Sequence, residues 1–198
     1  MKTVIPIFPL NSVLFPGASI ELRIFEVRYL DMVSECLRTG IEFGICLIRQ
    51  GSEVGQPAEH YSTGTSAQIT DWEQYPDGIL GITAMGHKRF IIESSSVRSN
   101  NLIEGEIHWV ENQAKVSVTQ EYKHLQEMYY RLASHFEIQS SADPLMIEDA
   151  SWFGYRLADM LPLDAELKQE ILEIDDCLQR LNHLRELIEN AGLLKLDS

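Results

Sequence analysis

The amino-acid sequence predicts an α+β protein in which a small β-barrel with one packed helix precedes a C-terminal helical bundle. The first observation is the hydrophobic period. Before about residue 112 apolar residues form short runs and alternations, and after about residue 117 they recur at helical spacing. The second observation is that turn signals separate the short runs, which is typical of a closed or nearly closed barrel. We therefore predict two subdomains, residues 1–112 and 117–198.

One strand and one helix of the first subdomain have clear patterns. In residues 18–24 Ile20, Leu22 and Ile24 alternate with polar residues, which predicts a half-buried strand. Residues 25–37 then change to a helical period, and Gly40 follows where a C-terminal cap is expected. The predicted buried stripe of this helix consists of Phe25, Tyr29, Met32, Val33, Cys36 and Leu37.

The remaining strands of the first subdomain are predicted from short apolar or alternating runs. They cover residues 4–9, 43–48, 64–71, 78–84, 89–93 and 103–110, with a polar loop at 51–56. Asp77-Gly78 is a strong turn signal. We interpret Gly86-His87-Lys88-Arg89 as the start of a strand rather than as a basic binding patch.

The second subdomain contains apolar residues at helical spacing between breaks. A helix is predicted over residues 118–136, and residues 140–144 end it. Asp149 or Ser151 is predicted to cap the next helix, Asp164 the third, and the Asp175-Asp176 pair a last helix that ends near Gly192. Such pieces form a small bundle.

Composition favours a soluble, cytoplasmic protein that binds neither nucleic acid nor membranes. The 198 residues carry a formal net charge of −14, and the isoelectric point is near 4.8. A surface of this acidity repels phosphate backbones and anionic lipids. The sequence contains no apolar run long enough to span a bilayer. Its three cysteines, Cys36, Cys46 and Cys177, are predicted to be buried and unpaired, which suits a reducing compartment.

The sequence contains no motif that we interpret as an active site. The histidines do not form an HxxxH or HExxH pair, and no GxSxG motif is present. The segment 81–88 approaches a phosphate-binding loop, but a histidine precedes Lys88 and no Ser or Thr follows it. We therefore predict no catalytic residue, no cofactor and no metal.

Two segments contain more aromatic and proline residues than folding alone requires. Phe8-Pro9 and Phe15-Pro16 hold the chain extended, for which a rigid strand start is the favoured interpretation. Trp72 and Tyr75 stand in a predicted loop, where exposed aromatic residues are common binding anchors. Trp72 could equally fold back onto the barrel.

Three blocks of the chain together resemble the N-terminal domain of Lon proteases. The first consists of Ile5-Pro6-Ile7-Phe8-Pro9-Leu10, Val13-Leu14-Phe15-Pro16-Gly17 and Phe25-Glu26-Val27-Arg28-Tyr29. The second runs from Gly64-Thr65-Ser66-Ala67-Gln68-Ile69 through Asp77-Gly78 to Gly86-His87-Lys88-Arg89-Phe90. The third is Leu157-Ala158-Asp159-Met160-Leu161-Pro162-Leu163 with the segment 168–173.

The resemblance implies a PUA-like β-barrel followed by a helical bundle, and a role in recognising unfolded or hydrophobic polypeptide segments. It also implies a non-catalytic, free-standing domain without the ATPase and peptidase modules of full-length Lon, for which a protease or a chaperone is a candidate partner in protein quality control. The candidate peptide-binding residues are Phe8, Phe15, Pro16, Tyr29, Trp72 and Tyr75.

Two other classes of function compete with polypeptide binding. The first is a small-molecule-binding protein or an uncharacterised enzyme with its site between barrel and bundle, for which His87, His108 and Tyr155 are the residues to inspect. The second is nucleic-acid binding through the barrel, for which the net charge predicts a negative result. The sequence does not specify an oligomeric state.

Overall fold

The computed structural model describes residues 3–111, 114–135 and 144–190. The chain divides into two compact units, Met1–Asn112 and Gln113–Ser198. The first unit contains a six-stranded sheet and one helix, and the second contains the remaining helices, so the class is mixed α+β.

The first unit alternates strands with one helix near its beginning. The strands are β1 (Thr3–Leu10), β2 (Ser19–Ile24), β3 (Phe43–Gln50), β4 (Glu59–Gln74), β5 (Leu80–Val97) and β6 (Ile103–Trp109), and the helix is α1 (Val27–Thr39). The strand order is β2-β5-β4-β3-β1-β6, and β5 also pairs with β6. The pairings of β5, β4, β3, β1 and β6 therefore form a closed circuit, with β2 outside it.

The centre of the circuit is a cluster of apolar side chains around Phe90. Its buried members are Ile5, Ile7, Cys46, Phe90, Ile103 and Ile107. Two glycines make room for the Phe90 ring: a Cβ on Gly44 would lie 2.5 Å from Phe90 Cζ, and one on Gly64 would lie 2.7 Å from the same atom. Any side chain at these two positions would have to displace a buried ring.

Helix α1 follows its predicted pattern over most of its length. Tyr29, Met32, Val33 and Cys36 are buried, and Gly40 takes a left-handed conformation with φ 73° at the C-terminal cap. The prediction was wrong for Phe25 and Leu37, which are 55% and 49% exposed. Phe25 departs from the pattern because the helix begins only at Val27, so the helical period does not extend to it.

Strands β4 and β5 are longer and more continuous than predicted. The predicted strands 78–84 and 89–93 are parts of the single strand β5, and Gly86 to Arg89 lie inside it rather than at a strand start. The β4–β5 register shifts between Thr65 and Ala67 and again between Ile69 and Asp71. Such irregularities change which residues face the core, so the alternation in the sequence is interrupted although the strand is not.

The second unit consists of short helices, of which the first begins later than predicted and the second, Pro144–Ile147, was not predicted. A 3-10 turn at Gln120–Tyr122 leads into α2 (Lys123–His135), followed by α3 (Pro144–Ile147), α4 (Ala150–Met160), α5 (Ala165–Glu173) and α6 (Cys177–Asn190). The predicted end of the first helix at residue 136, its break at 140–143 and the predicted stop near Gly192 lie outside the described residues.

Aspartates cap three of these helices. Asp149 accepts a hydrogen bond from Ser151 N (3.0 Å), Asp164 from Leu167 N (2.8 Å), and Asp176 from Leu178 N (2.9 Å). The predicted caps at Asp149, Asp164 and Asp176 are therefore confirmed. Each satisfies a backbone donor that the first helical turn leaves unpaired.

A buried arginine of α6 forms hydrogen bonds with α4 and with the end of α5. Arg180 of α6 is fully buried. It donates to the Tyr155 hydroxyl (2.8 Å) and to the Ile174 carbonyl (2.5 Å) at the end of α5, and its guanidinium carbon lies 3.8 Å from the Tyr155 ring centroid. These contacts give Arg180 and Tyr155 a structural role in the helical unit.

Candidate functional site

The clearest candidate site of the first unit is a small pocket where β2 ends and α1 begins. It is lined by Phe8, Arg23, Phe25, Glu26, Tyr29, Glu53 and Val54; we call it the α1 pocket, and its volume is about 40 Å³. Phe25 and Val54 at its rim are 55% and 53% exposed. Val27 (70%) and Leu30 add exposed apolar surface on α1, three residues apart and so on one side of the helix.

Two stacked aromatic rings line the inner side of the α1 pocket. Phe8 and Tyr29 are buried, and their ring centroids lie 3.9 Å apart with an interplanar angle of 19°. Phe43 packs against Phe8 with a centroid distance of 6.4 Å. Burial raises the pKa of Tyr29 to about 12, so its hydroxyl is neutral across the physiological range. The pocket therefore has a fixed apolar inner wall and an exposed apolar rim.

A buried arginine holds the segments that form the rim. Arg28 is 4% exposed. Its guanidinium lies 3.1 Å from Glu26 Oε2 and donates to the Asn101 carbonyl (3.2 Å) and the Glu53 carbonyl (3.4 Å). One side chain thus ties the start of α1 to the loop after β3 and to the turn between β5 and β6. Removal of one partner from such a desolvated ion pair is costly.

The two glutamates extend this arrangement to further backbone segments. Glu26 Oε2 accepts a hydrogen bond from Gly55 N (3.4 Å), and Glu53 Oε1 accepts one from Asn11 N (2.7 Å). The loop that carries Val54 is therefore attached at both sides of that residue, which presents Val54 at the rim in a defined position.

A second surface lies on the part of the sheet where β2 joins β5 and β4. Residues 19–24, 80–85 and 69–74 form this three-stranded arm, and a pocket of about 160 Å³ on it is lined by Glu21, Asp71, Trp72, Glu73, Tyr75, Gly81, Ile82 and Thr83. The Tyr75 ring lies over Gly81, where a Cβ would meet Tyr75 Cε2 at 2.7 Å. Arg23 sits 4.8 Å from the Tyr75 ring centroid and pairs with Asp77 at 2.5 Å.

The residues singled out in the sequence fall into three groups. Phe8 and Tyr29 line the α1 pocket, while Trp72, which is 59% exposed, and Tyr75 line the arm. Phe15 is fully buried and Pro16 half-buried, so the second Phe-Pro pair presents little surface to a partner.

Sequence patterns did not assign to a site four residues that lie in or beside the α1 pocket. Phe25 was assigned to a buried stripe, Val54 stood in a polar loop, and Glu26 and Arg28 were noted only within the block that carries the family resemblance. The signal that could have found Arg28 is its place amid the apolar residues at the start of α1, because an unpaired charge there would be costly.

The described residues contain no cluster that could hold a metal ion, and their cysteines are buried. Within 3–111, 114–135 and 144–190 no three His, Cys, Asp or Glu side chains converge to hold a metal ion. Cys36, Cys46 and Cys177 are buried, as predicted, and none of the three forms a disulfide. Burial raises the pKa of Cys36 to about 11 and also raises that of Cys46 and Cys177, so these thiols stay protonated at neutral pH.

The histidines marked for inspection lie on exposed strand surface. His87 Nδ1 is 2.7 Å from Glu42 Oε1, and His108 Nδ1 is 3.3 Å from Glu93 Oε1. All four side chains retain solvent contact, which is the geometry of surface pairs. Of the helices that the structure describes, none is long and apolar enough to cross a membrane.

The first unit combines a closed strand circuit with a pocket whose inner wall is aromatic, and short helices follow in the second unit. A profile of the ATP-dependent protease La (LON) substrate-binding domain matches residues 4–190, nearly the whole chain. The chain belongs to this family, and the resemblance found in the sequence is confirmed.

Known relatives agree with this assignment. The crystal structure of a Lon N-terminal domain protein from Xanthomonas campestris is 38% identical, with a TM-score of 0.75 over 93% of this chain and 98% of that one. The N-terminal domain of a Mycobacterium avium complex Lon protease is 17% identical with a TM-score of 0.67 over 94% and 97%, and it supports the fold alone.

Full-length Lon proteases match over this region only. The Lon protease of Bacillus thuringiensis is 22% identical over 99% of this chain and 26% of its own length, and that of Cytophaga hutchinsonii is 24% identical over 94% and 24%. The chain thus spans about a quarter of the length of the curated relatives it matches.

Proposed function

We propose that this protein is a non-catalytic polypeptide-binding module that recognises unfolded or hydrophobic segments through the α1 pocket. The observation that carries the proposal is the exposure of Phe25, Val27 and Val54 around the buried Phe8–Tyr29 stack. Isolated exposed apolar residues are ordinary, but a contiguous patch with a polar rim is a common mark of a binding surface.

The chemistry of the pocket supports an apolar side chain as its occupant. The inner wall is aromatic, and the nearby charges of Arg28 and Glu26 neutralise each other at 3.1 Å. An incoming apolar side chain would displace water from Phe25 and Val54 without separating a charge from its partner. Burial of such a side chain contributes about 1.5–3 kcal/mol, which suits weak, reversible recognition.

The proposed architecture is a PUA-like β-barrel over residues 1–112 followed by a helical bundle over residues 117–198. The closed circuit of strand pairings supports the first assignment. The capped helices fastened by Arg180 support the second. In this arrangement the circuit supplies the rigid base on which Phe8 and Tyr29 are stacked.

Family membership supports a place in protein quality control, with a protease or a chaperone as the second partner. The matched family is described as the substrate-binding part of an ATP-dependent protease. We propose that this chain likewise contributes recognition and leaves the chemistry to its partner, in the cytoplasm. The buried cysteine thiols, which form no disulfide, support a reducing location.

The test is binding of a fluorescein-labelled unfolded polypeptide, followed by fluorescence anisotropy. We expect binding in the tens of micromolar, about −6 kcal/mol. Phe25→Ser should weaken it about tenfold, because an exposed anchor is lost without a core defect. The matched control is Leu37→Ser, since Leu37 is also an exposed apolar residue and lies about 15 Å along the α1 axis from the first helical residue, Val27.

Two outcomes would overturn the proposal. Absence of binding by the wild-type protein would show that it does not recognise unfolded polypeptide. Equal weakening of binding by Phe25→Ser and Leu37→Ser would show that the α1 pocket is not the binding site. Trp72→Ser tests the arm in the same assay, and we expect less than a twofold change, about 0.4 kcal/mol.

A further inference from the structure

We propose that the bound polypeptide adopts an extended conformation and pairs as an additional strand with the outer edge of β2. This inference rests on the proposed function and specifies how the α1 pocket is reached. Its occupant is an unfolded segment in which basic residues alternate with apolar ones. Strand addition to an open sheet edge is a general mode of peptide recognition.

The outer edge of β2 is open within the described part of the chain. β2 stands at the end of the strand order and pairs with β5, while the additional pairing joins β5 to β6 and does not involve β2. The side chains of Ser19, Glu21 and Arg23 are exposed. Six residues at about 3.3 Å each give an edge of about 20 Å.

The phase of the β2–β5 ladder shows which backbone groups point outward. Gly17 N donates to Gly86 O, and Gly86 N donates to Ala18 O, both at 2.8 Å. Alternate pairs of an antiparallel ladder exchange hydrogen bonds, so the next bonded pairs along the register are those of Ile20, Leu22 and Ile24 with β5.

The amides and carbonyls of the intervening residues, Ser19, Glu21 and Arg23, therefore face away from β5. They form a repeating set of donors and acceptors two residues apart. An extended backbone matches this spacing, and a helix or a small ligand does not.

The opposite edge of the arm is protected, whereas the β2 edge is not. On β4, Trp72 N donates to its neighbour Asp71 Oδ1 at 2.8 Å, so this edge donor is occupied by a side chain. β2 carries two charged side chains that could guard the edge, but Arg23 lies over Tyr75 and pairs with Asp77, and Glu21 lines the pocket on the face of the arm. Proteins commonly block open sheet edges with charges and bulges. Since the β4 edge of the arm is blocked and the β2 edge is not, we place the added strand on β2.

The β2 edge leads directly to the α1 pocket. Ile24 ends the strand, Phe25 is the next residue, and Arg23 lines the pocket as well. A segment paired with β2 would therefore continue onto Phe25 and Val54 without a turn. The two surfaces form one continuous site.

The charge around this route favours basic residues in the segment. Glu21 projects from β2 and Glu53 stands at the pocket, while the charge of Arg23 is offset by Asp77 at 2.5 Å and that of Glu26 by Arg28 at 3.1 Å. The chain as a whole carries −14. Lysine or arginine at alternate positions would meet these carboxylates, and the apolar residues between them would meet the pocket.

The test uses the full chain and a synthetic peptide of alternating lysine and valine that ends in phenylalanine. Glu21→Pro removes an outward N–H, and proline is tolerated on an edge strand whose N–H faces solvent, so the β2–β5 ladder is kept. We expect it to weaken peptide binding about tenfold. Glu21→Gln keeps the N–H and removes the charge, and we expect a weakening of about threefold, with a strong dependence on salt.

A second measurement does not depend on a variant that must fold. In amide hydrogen exchange followed by NMR, the amides of Ser19, Glu21 and Arg23 should exchange fast in the free protein and become protected when the peptide binds. The same peptide N-methylated at its central amides should not protect them, because it lacks the donors for strand pairing.

The possible failures are distinguishable. If the peptide binds and Phe25→Ser weakens it, but the three amides stay unprotected and Glu21→Pro has no effect, strand addition is overturned and the α1 pocket is retained. If neither this peptide nor unfolded polypeptide binds, both proposals fail. Equal binding of an aspartate–valine peptide would overturn the charge preference.

Discussion

The two regions of the sheet share the strands β4 and β5 but differ in how those strands are used. In the closed circuit, glycines and apolar side chains surround Phe90, and the neighbouring strands pair on both sides. In the arm, β4 carries Asp71, Trp72 and Glu73, β5 pairs with β2, and the outer edge of β2 is left open within the described residues. The comparison teaches that one pair of long strands supplies both a rigid base and an accessible surface.

The largest expected difference between the regions concerns their aromatic residues. Phe90→Ala should lower the free energy of unfolding by about 4 kcal/mol, because it leaves a cavity where the side chain is fully buried. Tyr75→Ala in the arm should cost about 1 kcal/mol, since that ring keeps contact with solvent. Urea denaturation of both variants measures this, and equal losses would contradict the distinction.

A pH titration tests the inner wall of the α1 pocket. The pKa of Tyr29 is raised by burial from 10.0 to about 12. Below pH 10 the Tyr29 hydroxyl is protonated in both the folded and the unfolded state, so its contribution to the free energy of unfolding is fully present. As the pH rises from 10 to 12, the unfolded state loses the proton first and the folded state loses stability.

The expected loss over this interval is about 2–3 kcal/mol more for the wild type than for Tyr29→Phe, which cannot ionise. Urea denaturation gives the free energy of unfolding of both proteins at about pH 9 and about pH 12. Because the other groups that titrate in this interval are the same in both proteins, the change in their difference reports Tyr29 alone. A difference that does not change with pH would show that Tyr29 is solvated.

Alanine substitutions of one glycine in the circuit and one in the arm give the smallest expected effect and compare the two regions directly. A Cβ at Gly44 would lie 2.5 Å from Phe90 Cζ, and one at Gly81 would lie 2.7 Å from Tyr75 Cε2. Gly44→Ala should cost about 2 kcal/mol because the buried ring cannot move away. Gly81→Ala should cost less than about 0.5 kcal/mol, because Tyr75 can swing outward. Similar melting temperatures for the two variants would show that the arm is as rigid as the circuit.

Local patterns in the sequence were sufficient for much of the fold. The alternation of Ile20, Leu22 and Ile24 predicted β2, and Asp149, Asp164 and Asp176 were recognised as caps because capping depends on neighbours within one turn. The continuity of β5 and the full length of β4 were not recognised, because register shifts interrupt the alternation on which a strand prediction depends.

The α1 pocket was predictable only in part. Phe8 and Tyr29 were singled out, but their stacking depends on the packing of α1 against β1. Val54 reaches the pocket because the loop after β3 is fastened by Glu26 and Arg28, more than twenty residues earlier. No local pattern encodes such a long-range attachment.

The position of β1 between β3 and β6 has a consequence for synthesis on the ribosome. Thr3 pairs with Ile107, so β1 is made first but obtains its second neighbour only when about 100 further residues have emerged. At 5–20 residues per second this interval lasts about 5–20 s. During that time one edge of a strand whose residues 5–10 are all buried in the finished fold is without its partner. The nascent chain therefore presents, for some seconds, the same kind of extended apolar segment that we propose the folded protein recognises in others.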